Sequence, residues 1–416
     1  MRFIGYTGMV LLLLVAGCKS GKDPELVREA PWALVSPELV MDTHAHTRFS
    51  DGALSMETLV QKAKAGGCDA LAITDHGDLD RQAATPEYFQ AIERARRNHP
   101  GLLILAGLEW NVPPYGGREH VTLLVAPARE ALLTEFRRRF EREDAQVEEA
   151  LRWLSEKLPT QRDGVLFYNH PSRKDTDPTE NEKDFLAWHA LSPLMVGFEG
   201  APGHQKDDPL GSYQGRFATE DRWDPVVAEI GGVWDRILDA GIDAWGALAG
   251  SDYHNDHMDE APCAFARIHV RPEDPSPAGI IAGLRAGTFW SDHGQILERL
   301  SFMLDADGLP LPAVPGEAVR MSREQPVRLR LSVERGPGAY HQPLAVELIG
   351  NGRSGVPERI FAATLPANRE YLGWTLPRLR PGGDGRSAYF RLRIRRKVDD
   401  GPDLMAYTNP IRVILD

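Results

Sequence analysis

The sequence predicts an α/β barrel followed by a small all-β domain. Three observations lead to this fold class. Short apolar runs alternate with helical patterns over about 250 residues from Leu39, and a polar residue suited to chemistry follows nearly every run. From about residue 316 the pattern changes to an alternation of apolar and polar residues. Alternating β and α elements are typical of a barrel, whose chemistry lies at the carboxyl ends of the strands.

Seven apolar runs predict strands that are buried on both faces. They are Leu39–Met41, Ala70–Ile73, Leu102–Leu105, Val121–Val125, Val165–Tyr168, Met195–Phe198 and Trp245–Ala249. Ser55 is expected to cap a helix that ends at Gly66, and Thr85-Pro86 to open another. Longer helices are predicted over Ala128–Lys157 and Trp223–Ala240.

The C-terminal part has the pattern of an antiparallel β-sandwich. Leu309–Pro315 is rich in proline and predicts a linker. Val327–Glu334 and Tyr389–Arg395 then alternate apolar and polar side chains, which predicts half-exposed strands.

Length and charge limit the functional classes. A chain of 416 residues is too long for one ordinary core, so at least two domains are expected. The formal net charge of −12 argues against bulk nucleic-acid binding by a basic surface.

The N-terminus predicts a lipid anchor. Arg2 precedes the apolar run Met9–Ala16, which is too short to span a bilayer, and Val15-Ala16-Gly17-Cys18 resembles a bacterial lipobox. We therefore expect a lipidated Cys18 and a membrane-anchored protein of the bacterial cell envelope. An ordinary cleaved signal or a short uncleaved anchor is the alternative. The predicted segments are a signal peptide (1–17), a tether (18–37), the barrel (38–305) and the β domain (316–416).

Two further cysteines, Cys68 and Cys263, lie in apolar surroundings and form no CxxC motif. Buried free thiols are the expected state. One disulfide bond between Cys68 and Cys263 is the alternative.

Two short motifs carry most of the functional information. His44 and His46, like Asp252 and His254, occupy alternate positions, so on extended segments each pair points to one face. If both segments end at one cavity, four ligands converge on a metal centre, which activates water when a coordination position is open. Further metal-ligand residues at the ends of predicted strands or in the loops that follow are Asp51, His76, Glu109, His120 and His170.

In this order the motifs resemble those of the PHP (polymerase and histidinol phosphatase) family of metallohydrolases, over about residues 39–295. The resemblance implies a distorted seven-stranded (β/α) barrel with a di- or trinuclear metal site. The implied ligands of the first metal are His44, His46, Glu109 and Asp252. Glu109 would bridge to a second metal completed by His120 and His170. The implied ligands of the third are Asp51, His76 and His254.

Two to three divalent transition metals are expected. Some family members have histidine where this chain has Asp51, so the identity and occupancy of the third metal stay open. Mixed nitrogen and oxygen ligands suit zinc, manganese or iron. Catalysis is expected through metal-bound water held by Glu109 and Asp252.

Other polar residues near the motifs have weaker assignments. Arg173 is a candidate clamp for a phosphate or carboxylate, with a solvated loop arginine as the alternative. His293 is a candidate substrate-binding residue that protonates a leaving group. Asp75 is expected to orient His76, with capping of the next turn as the alternative. Glu199 either positions substrate or is structural. Six histidines without motif context are interpreted as surface or core residues: His99, His189, His204, His257, His269 and His341.

The predicted function is a metal-dependent hydrolase of a small-molecule phosphoester. Val233–Leu238, Gly250–His254 and Ala406–Ile411 resemble the CehA/McbA-type subgroup, which makes a carboxyl ester, carbamate or amide the alternative substrate. An amidohydrolase-type (β/α)8 barrel also begins with His-x-His and would differ in strand count. A lipoprotein that binds metal or a ligand without turnover is the non-enzymatic alternative.

Overall fold

The computed structural model describes residues 23–115, 118–174, 176–201, 203–206, 216–217, 219 and 221–416. The predicted signal peptide and Cys18 lie outside these residues. Within the described ranges, no helix is both long and apolar enough to cross a membrane.

All seven predicted runs form strands, and one of them, β4, is several residues longer than predicted. The strands up to residue 293 are β1 (Glu25–Arg28), β2 (Leu39–Asp42), β3 (Ala70–Ile73), β4 (Leu103–Asn111), β5 (His120–Val125), β6 (Gly164–Asn169), β7 (Met195–Ala201), β8 (Trp245–Ala249), β9 (Ala266–Val270) and β10 (Phe289–His293).

Strands β2 to β8 form a distorted seven-stranded barrel. β2, β3 and β4 are parallel, as are β6, β7 and β8, and β5 runs antiparallel between the two groups. The sheet curls until the segments after β2 and β8 meet, where Ala45 bridges Tyr253 and Thr43 Oγ1 donates to the carbonyl of Ala249. Counted from β2 to β8, the sheet has the seven strands of the predicted barrel, and beyond β2 it continues through β9.

The helices pack around the barrel strands. They are α1 (Met56–Ala65), α2 (Pro86–Asn98), α3 (Ala131–Phe140), α4 (Val147–Lys157), α5 (Pro178–Leu191), α6 (Pro225–Ala228), α7 (Val233–Asp239) and α8 (Pro277–Ala286). The side chains of Ser55 and Thr85 accept hydrogen bonds from the first turns of α1 and α2, as predicted.

Each of the two long helices predicted from the pattern is in fact two helices. Residues 141–146 interrupt the first, where the buried carboxyl of Glu141 packs against Gly77. Residues 141–146 contain no glycine or proline, so the break in the helix depends on tertiary packing and not on a helix-breaking residue. Gly231, with φ of 76°, lies in the break of the second, in a conformation that glycine adopts without strain.

The C-terminal strands form a sandwich-like β domain. They are β11 (Leu297–Ala306), β12 (Ala318–Met321), β13 (Val327–Arg335), β14 (Leu344–Gly350), β15 (Glu358–Leu365), β16 (Tyr371–Leu376), β17 (Ser387–Arg396), β18 (Leu404–Thr408) and β19 (Ile411–Leu415). β11, β13 and β16 make a three-stranded sheet, and the other six continue the barrel sheet through the pairing of β18 with β10. Apolar side chains of both sheets, such as Phe302, Leu331 and Phe390, share one core.

β13 alternates between buried and exposed positions as predicted, but β17 does not. Its second face packs against the barrel, where the guanidinium of Arg391 binds the carboxylate of Asp235 on α7 at 2.8 and 2.9 Å. Both side chains are fully buried. The arginines of β17 therefore did not indicate a solvent-facing side of the strand.

The boundaries of the predicted segments remain predictions. Within the predicted tether, β1 pairs with β12, and Ala30 and Ala33 pack against Val314. This part of the chain is thus bound to the fold.

The expectation of free thiols at Cys68 and Cys263 is wrong, because the two form a disulfide. They are 195 residues apart in sequence, and their Cα atoms lie 5.5 Å apart. The separation of the two cysteines in sequence does not indicate that they are close in space. They come together because β2 pairs with both β3, which follows Cys68, and β9, which follows Cys263.

Candidate metal centre

The polar residues that follow the barrel strands meet at one end of the barrel. Those after β2 are His44, His46 and Asp51; His76 follows β3, Glu109 lies in β4, His170 follows β6, and Asp252 and His254 follow β8. His120 opens β5. Because β5 is antiparallel, its first residue pairs with the last residues of β4 and β6, Asn111 and Asn169. The irregular strand direction thus brings His120 to the same end as the others.

The tightest group is His44, His46, Glu109 and Asp252, each at most 1% exposed. The Nε2 atoms of His44 and His46 are 3.1 Å apart. Glu109 Oε2 lies 3.3 Å from both nitrogens, and Asp252 Oδ1 lies 3.3 and 3.2 Å from them. Four ligands bonded tetrahedrally to one ion at about 2.0–2.2 Å have similar mutual separations.

Glu109 faces two parts of the cluster with its two oxygens. Oε2 faces the first group and also lies 3.3 Å from His76 Nε2. Oε1 lies 2.9 Å from His120 Nδ1 and 3.2 Å from His170 Nε2. Glu109 thus contacts both groups of imidazoles, and its Oε1 also accepts from Asn169 Nδ2 at 2.9 Å.

The remaining three predicted ligands form a more open group. Asp51 Oδ1 is 3.5 Å from His254 Nε2, and Asp51 Oδ2 is 3.7 Å from His76 Nε2. The Asp51 side chain is 33% exposed, whereas those of His76 and His254 are 13% and 16% exposed. All nine predicted ligands are therefore neighbours, and this side is the least enclosed.

Burial and charge oppose each other at the centre. Burial raises the pKa of Glu109, but the imidazoles of His120, His44 and His76 outweigh it and hold that pKa well below its usual range. Burial lowers the pKa of His46, but Asp252 and Glu109 outweigh it and raise that pKa to about 10. The carboxylates thus require positive charge beside them, which either protons or a cation can supply.

One observation supports a fit between these residues and a bound cation. Asp252 Oδ1 is buried without a hydrogen-bond partner among the described residues. His170 and Asp252 also adopt positive φ angles, 27° and 45°, which cost side-chain-bearing residues energy. Such strain is concentrated at functional sites, where the surrounding structure holds it.

Carboxylates outside the ligand set orient this cluster. Glu199 Oε1 accepts from His44 Nδ1 at 3.0 Å, which fixes that ring with Nε2 toward the centre. The expectation that Asp75 orients His76 is wrong. Asp75 accepts from Thr47 and Ser50 instead, so it holds the loop after His46.

The two predicted substrate residues lie in different surroundings. Arg173 Nη1 donates to Asp252 Oδ2 at 2.5 Å, so its guanidinium is at the cluster. His293 is buried between the rings of Phe265 and Trp223, with both ring nitrogens unpartnered among the described residues. Its role in substrate binding stays a prediction.

Sequence reasoning missed His204, which it interpreted as a surface or core residue. His204 is 8% exposed and its Nε2 lies 3.7 Å from Asp252 Oδ2. It lies six residues after the predicted run Met195–Phe198, and this place in the loop after a barrel strand was the available signal.

A cleft of about 480 Å³ leads to the open side of the cluster. Asp51, His76 and His120 line it, together with three cationic side chains: Arg81, Arg142 and Lys174. Asp78, Glu141 and Glu143 contribute acidic groups to the same lining.

Comparison with known proteins relates part of the chain to one family. Residues 42–142 match the PHP domain family. A probable phosphatase of Acetivibrio thermocellus is 35% identical over 81 residues, which are 19% of this chain and 34% of that protein. The match thus spans about a third of the relative's length.

Two solved structures are similar at low identity. A two-domain protein of Bacteroides vulgatus, containing a predicted PHP-like metal-dependent phosphoesterase, is 16% identical with a TM-score of 0.44. The alignment covers 96% of this chain and 100% of that one. An amidohydrolase of Chromobacterium violaceum is 18% identical with a TM-score of 0.33, over 53% of this chain and 89% of that one.

Proposed function

We propose that this protein is a metal-dependent hydrolase of small-molecule phosphoesters. The observation that carries the proposal is the buried group of four ligand atoms from His44, His46, Glu109 and Asp252. The two histidine nitrogens lie 3.1 Å apart, and each of the two carboxylate oxygens lies 3.2–3.3 Å from both nitrogens. The PHP match of residues 42–142 supports it, since that segment contains six of the nine predicted ligands.

Two to three divalent cations, zinc, manganese or iron, would be held by the nine predicted ligands. Bound there, they would supply Lewis acidity and lower the pKa of water toward neutrality. The chain contributes the fixed geometry. Glu109 holds the two halves of the cluster together, and Glu199 keeps His44 in position.

Arg173 is proposed to bind the phosphoryl group. Its guanidinium lies at Asp252, where an anionic substrate would enter the coordination sphere. Planar guanidinium groups bind phosphate oxygens bidentately, which also orients the group for attack.

The test is a substrate panel with the full-length chain. The protein is stripped of metal and reloaded with Zn²⁺, Mn²⁺ or Fe²⁺, then assayed on phosphomonoesters, phosphodiesters, aryl esters and carbamates. We expect metal-dependent hydrolysis of phosphoesters, with the metal-free protein as the control. Turnover of carboxyl esters or carbamates alone would instead support the CehA/McbA-type alternative. Metal binding without turnover of any substrate would support the non-catalytic one.

We further propose that the protein works in the bacterial cell envelope, attached through a lipidated Cys18. The Cys68–Cys263 disulfide supports an oxidising compartment. Wild-type protein should partition with membranes, and Cys18→Ser should lose the lipid. Mass spectrometry that finds an unmodified N-terminus at another residue would contradict the anchor.

A further inference from the structure

His204 lies outside the nine predicted ligands but points at them from the loop after β7. Its Nε2 is 3.7 Å from Asp252 Oδ2, and its ring centroid is 5.0 Å from that of His254. Ligand atoms of His204, Asp252 and His254 all lie within 4.8 Å of one another. The three residues therefore form a group that fits one cation.

The ring of His204 is held in this orientation by Asp259, which is 1% exposed. Asp259 Oδ1 accepts from the backbone nitrogen of His204 at 3.1 Å and from its Nδ1 at 2.6 Å. With Nδ1 acting as the donor, Nε2 carries the lone pair and faces the cluster. A carboxylate behind an imidazole is the usual arrangement for a metal-binding histidine.

Asp259 also ties His204 to the segment that carries His254. Its Oδ2 accepts from the backbone nitrogens of His254 and Asn255 at 2.6 and 3.0 Å. One buried carboxylate thus fixes the positions of two imidazoles that come from different barrel loops. A surface or core histidine needs no such shared anchor.

The separation of His204 and Asp252 indicates shared coordination rather than a hydrogen bond. A distance of 3.7 Å exceeds hydrogen-bond length. Two atoms bonded to one ion at about 2.0–2.2 Å lie about 3–4 Å apart. Asp252 Oδ2, the oxygen that lies 3.7 Å from His204 Nε2, also accepts from Arg173, whereas Asp252 Oδ1 faces His44 and His46.

We propose that His204 is an additional metal ligand, oriented by Asp259, for a cation that it shares with Asp252 and His254. The inference rests on the metal centre of the proposed function, but it does not depend on the substrate.

The test is metal binding by the full-length protein. Wild type, His204→Ala, Asp259→Asn and His257→Ala are stripped, reloaded with Mn²⁺ or Zn²⁺, and titrated against a competing chelator, with bound metal counted by elemental analysis. We expect His204→Ala to lose one equivalent or to bind its weakest ion 10- to 100-fold less tightly. Asp259→Asn should weaken the same ion by about tenfold. His257→Ala changes an exposed histidine in the loop that carries His254 and Asp259, and its metal binding should match wild type.

A second readout separates coordination from folding. In the Co²⁺-loaded protein, the visible absorption of His204→Ala should change, because one nitrogen ligand is lost from the ion. If His204→Ala does not fold by far-UV circular dichroism, folded Asp259→Asn carries the test. Wild-type stoichiometry, affinity and Co²⁺ spectrum in the folded variants would overturn the inference.

The outcomes also separate this inference from the proposed function. Loss of one metal in His204→Ala, in a protein that hydrolyses no phosphoester, supports the inference and contradicts the function. Phosphoester hydrolysis by the wild type, with unchanged metal binding in His204→Ala, supports the function and contradicts the inference. Wild-type protein that binds no transition metal contradicts both.

Discussion

The Nε2 atoms of His44 and His46 lie 3.1 Å apart, facing each other beside two buried carboxylate oxygens. Because His44 Nδ1 donates to Glu199, the lone pair of a neutral His44 lies on Nε2 and faces this cluster. The carboxylates of Glu109 and Asp252 outweigh burial and raise the pKa of both histidines. The cluster thus favours positive charge at its centre, which protons or a cation can supply.

Glu199→Gln tests how His44 is held. Glu199 lies outside the predicted ligand set, but its carboxylate accepts from His44 Nδ1. The amide cannot accept with the same charge, so we expect metal affinity to fall by about 10- to 100-fold with the fold intact. Chelator competition measures the change in metal affinity. The control is Glu182→Gln, which alters a carboxylate on α5 that pairs with Arg236 on α7. Equal metal affinity in Glu199→Gln and wild type would show that Glu199 does not orient His44 for metal binding.

The disulfide should contribute substantially to stability. Cys68 and Cys263 close a loop of about 195 residues, and removing such a crosslink costs about 2–5 kcal/mol. We expect the double variant Cys68→Ala/Cys263→Ala to unfold at correspondingly lower urea concentration. Peptide mapping without reductant should recover the two cysteines as one crosslinked pair. Alkylation of both thiols in unreduced native protein would show that the bond does not form.

Asp235 and Arg391 should connect the barrel to the β domain. Because both are fully buried, removal of one partner leaves an uncompensated charge. Asp235→Leu or Arg391→Met alone should cost about 3–5 kcal/mol, whereas the double variant should recover most of that loss. Urea unfolding of the four proteins measures the coupling. Additive losses in the double variant would argue against a specific pair.

His269 should make stability depend on pH. Burial lowers its pKa, but the facing carboxylates of Asp292 and Glu38 outweigh burial and raise it. A raised pKa in the folded state adds stability below the unfolded value of about 6.5, and this stability is lost as pH rises through the folded value. His269→Gln should therefore cost about 3 kcal/mol at pH 6 and less at pH 9.

Urea unfolding of wild type and His269→Gln at the two pH values checks this prediction. His99→Gln is the control, because His99 pairs at the surface with Glu57. A difference between His269→Gln and wild type that stays constant from pH 6 to pH 9 would show that His269 does not titrate as described.

The fold and most of the site were accessible from the sequence because their signals are local. Apolar runs mark β2 to β8, and the residues after them mark the rim of the barrel. Contacts between distant segments left no such signal. Glu199 and His44 are 155 residues apart, and His204 and Asp259 are 55 apart. Neither pair has a spacing that identifies it, and only the closed barrel brings the members together.

The arginines of β17 misled the prediction for a related reason. Alternation of apolar and charged residues is typical of a half-exposed strand. Arg391 instead finds a buried carboxylate on α7, so its face of the strand is covered. Whether a charged side chain faces water or a buried partner depends on the element packed above it, which the strand's own sequence does not specify.

The most direct test of the account is Glu109→Gln, assayed for bound metal and phosphoester turnover in the same preparation. Glu109 faces His44 and His46 with one oxygen and His120 and His170 with the other, so the amide should loosen both halves of the cluster. We expect kcat/KM to fall about 10³-fold or more, about 4 kcal/mol, which exceeds the loss in His120→Ala or Asp51→Ala. Bound metal should fall with it, while far-UV circular dichroism stays native. Wild-type metal content and turnover in Glu109→Gln would contradict a metal centre built around Glu109.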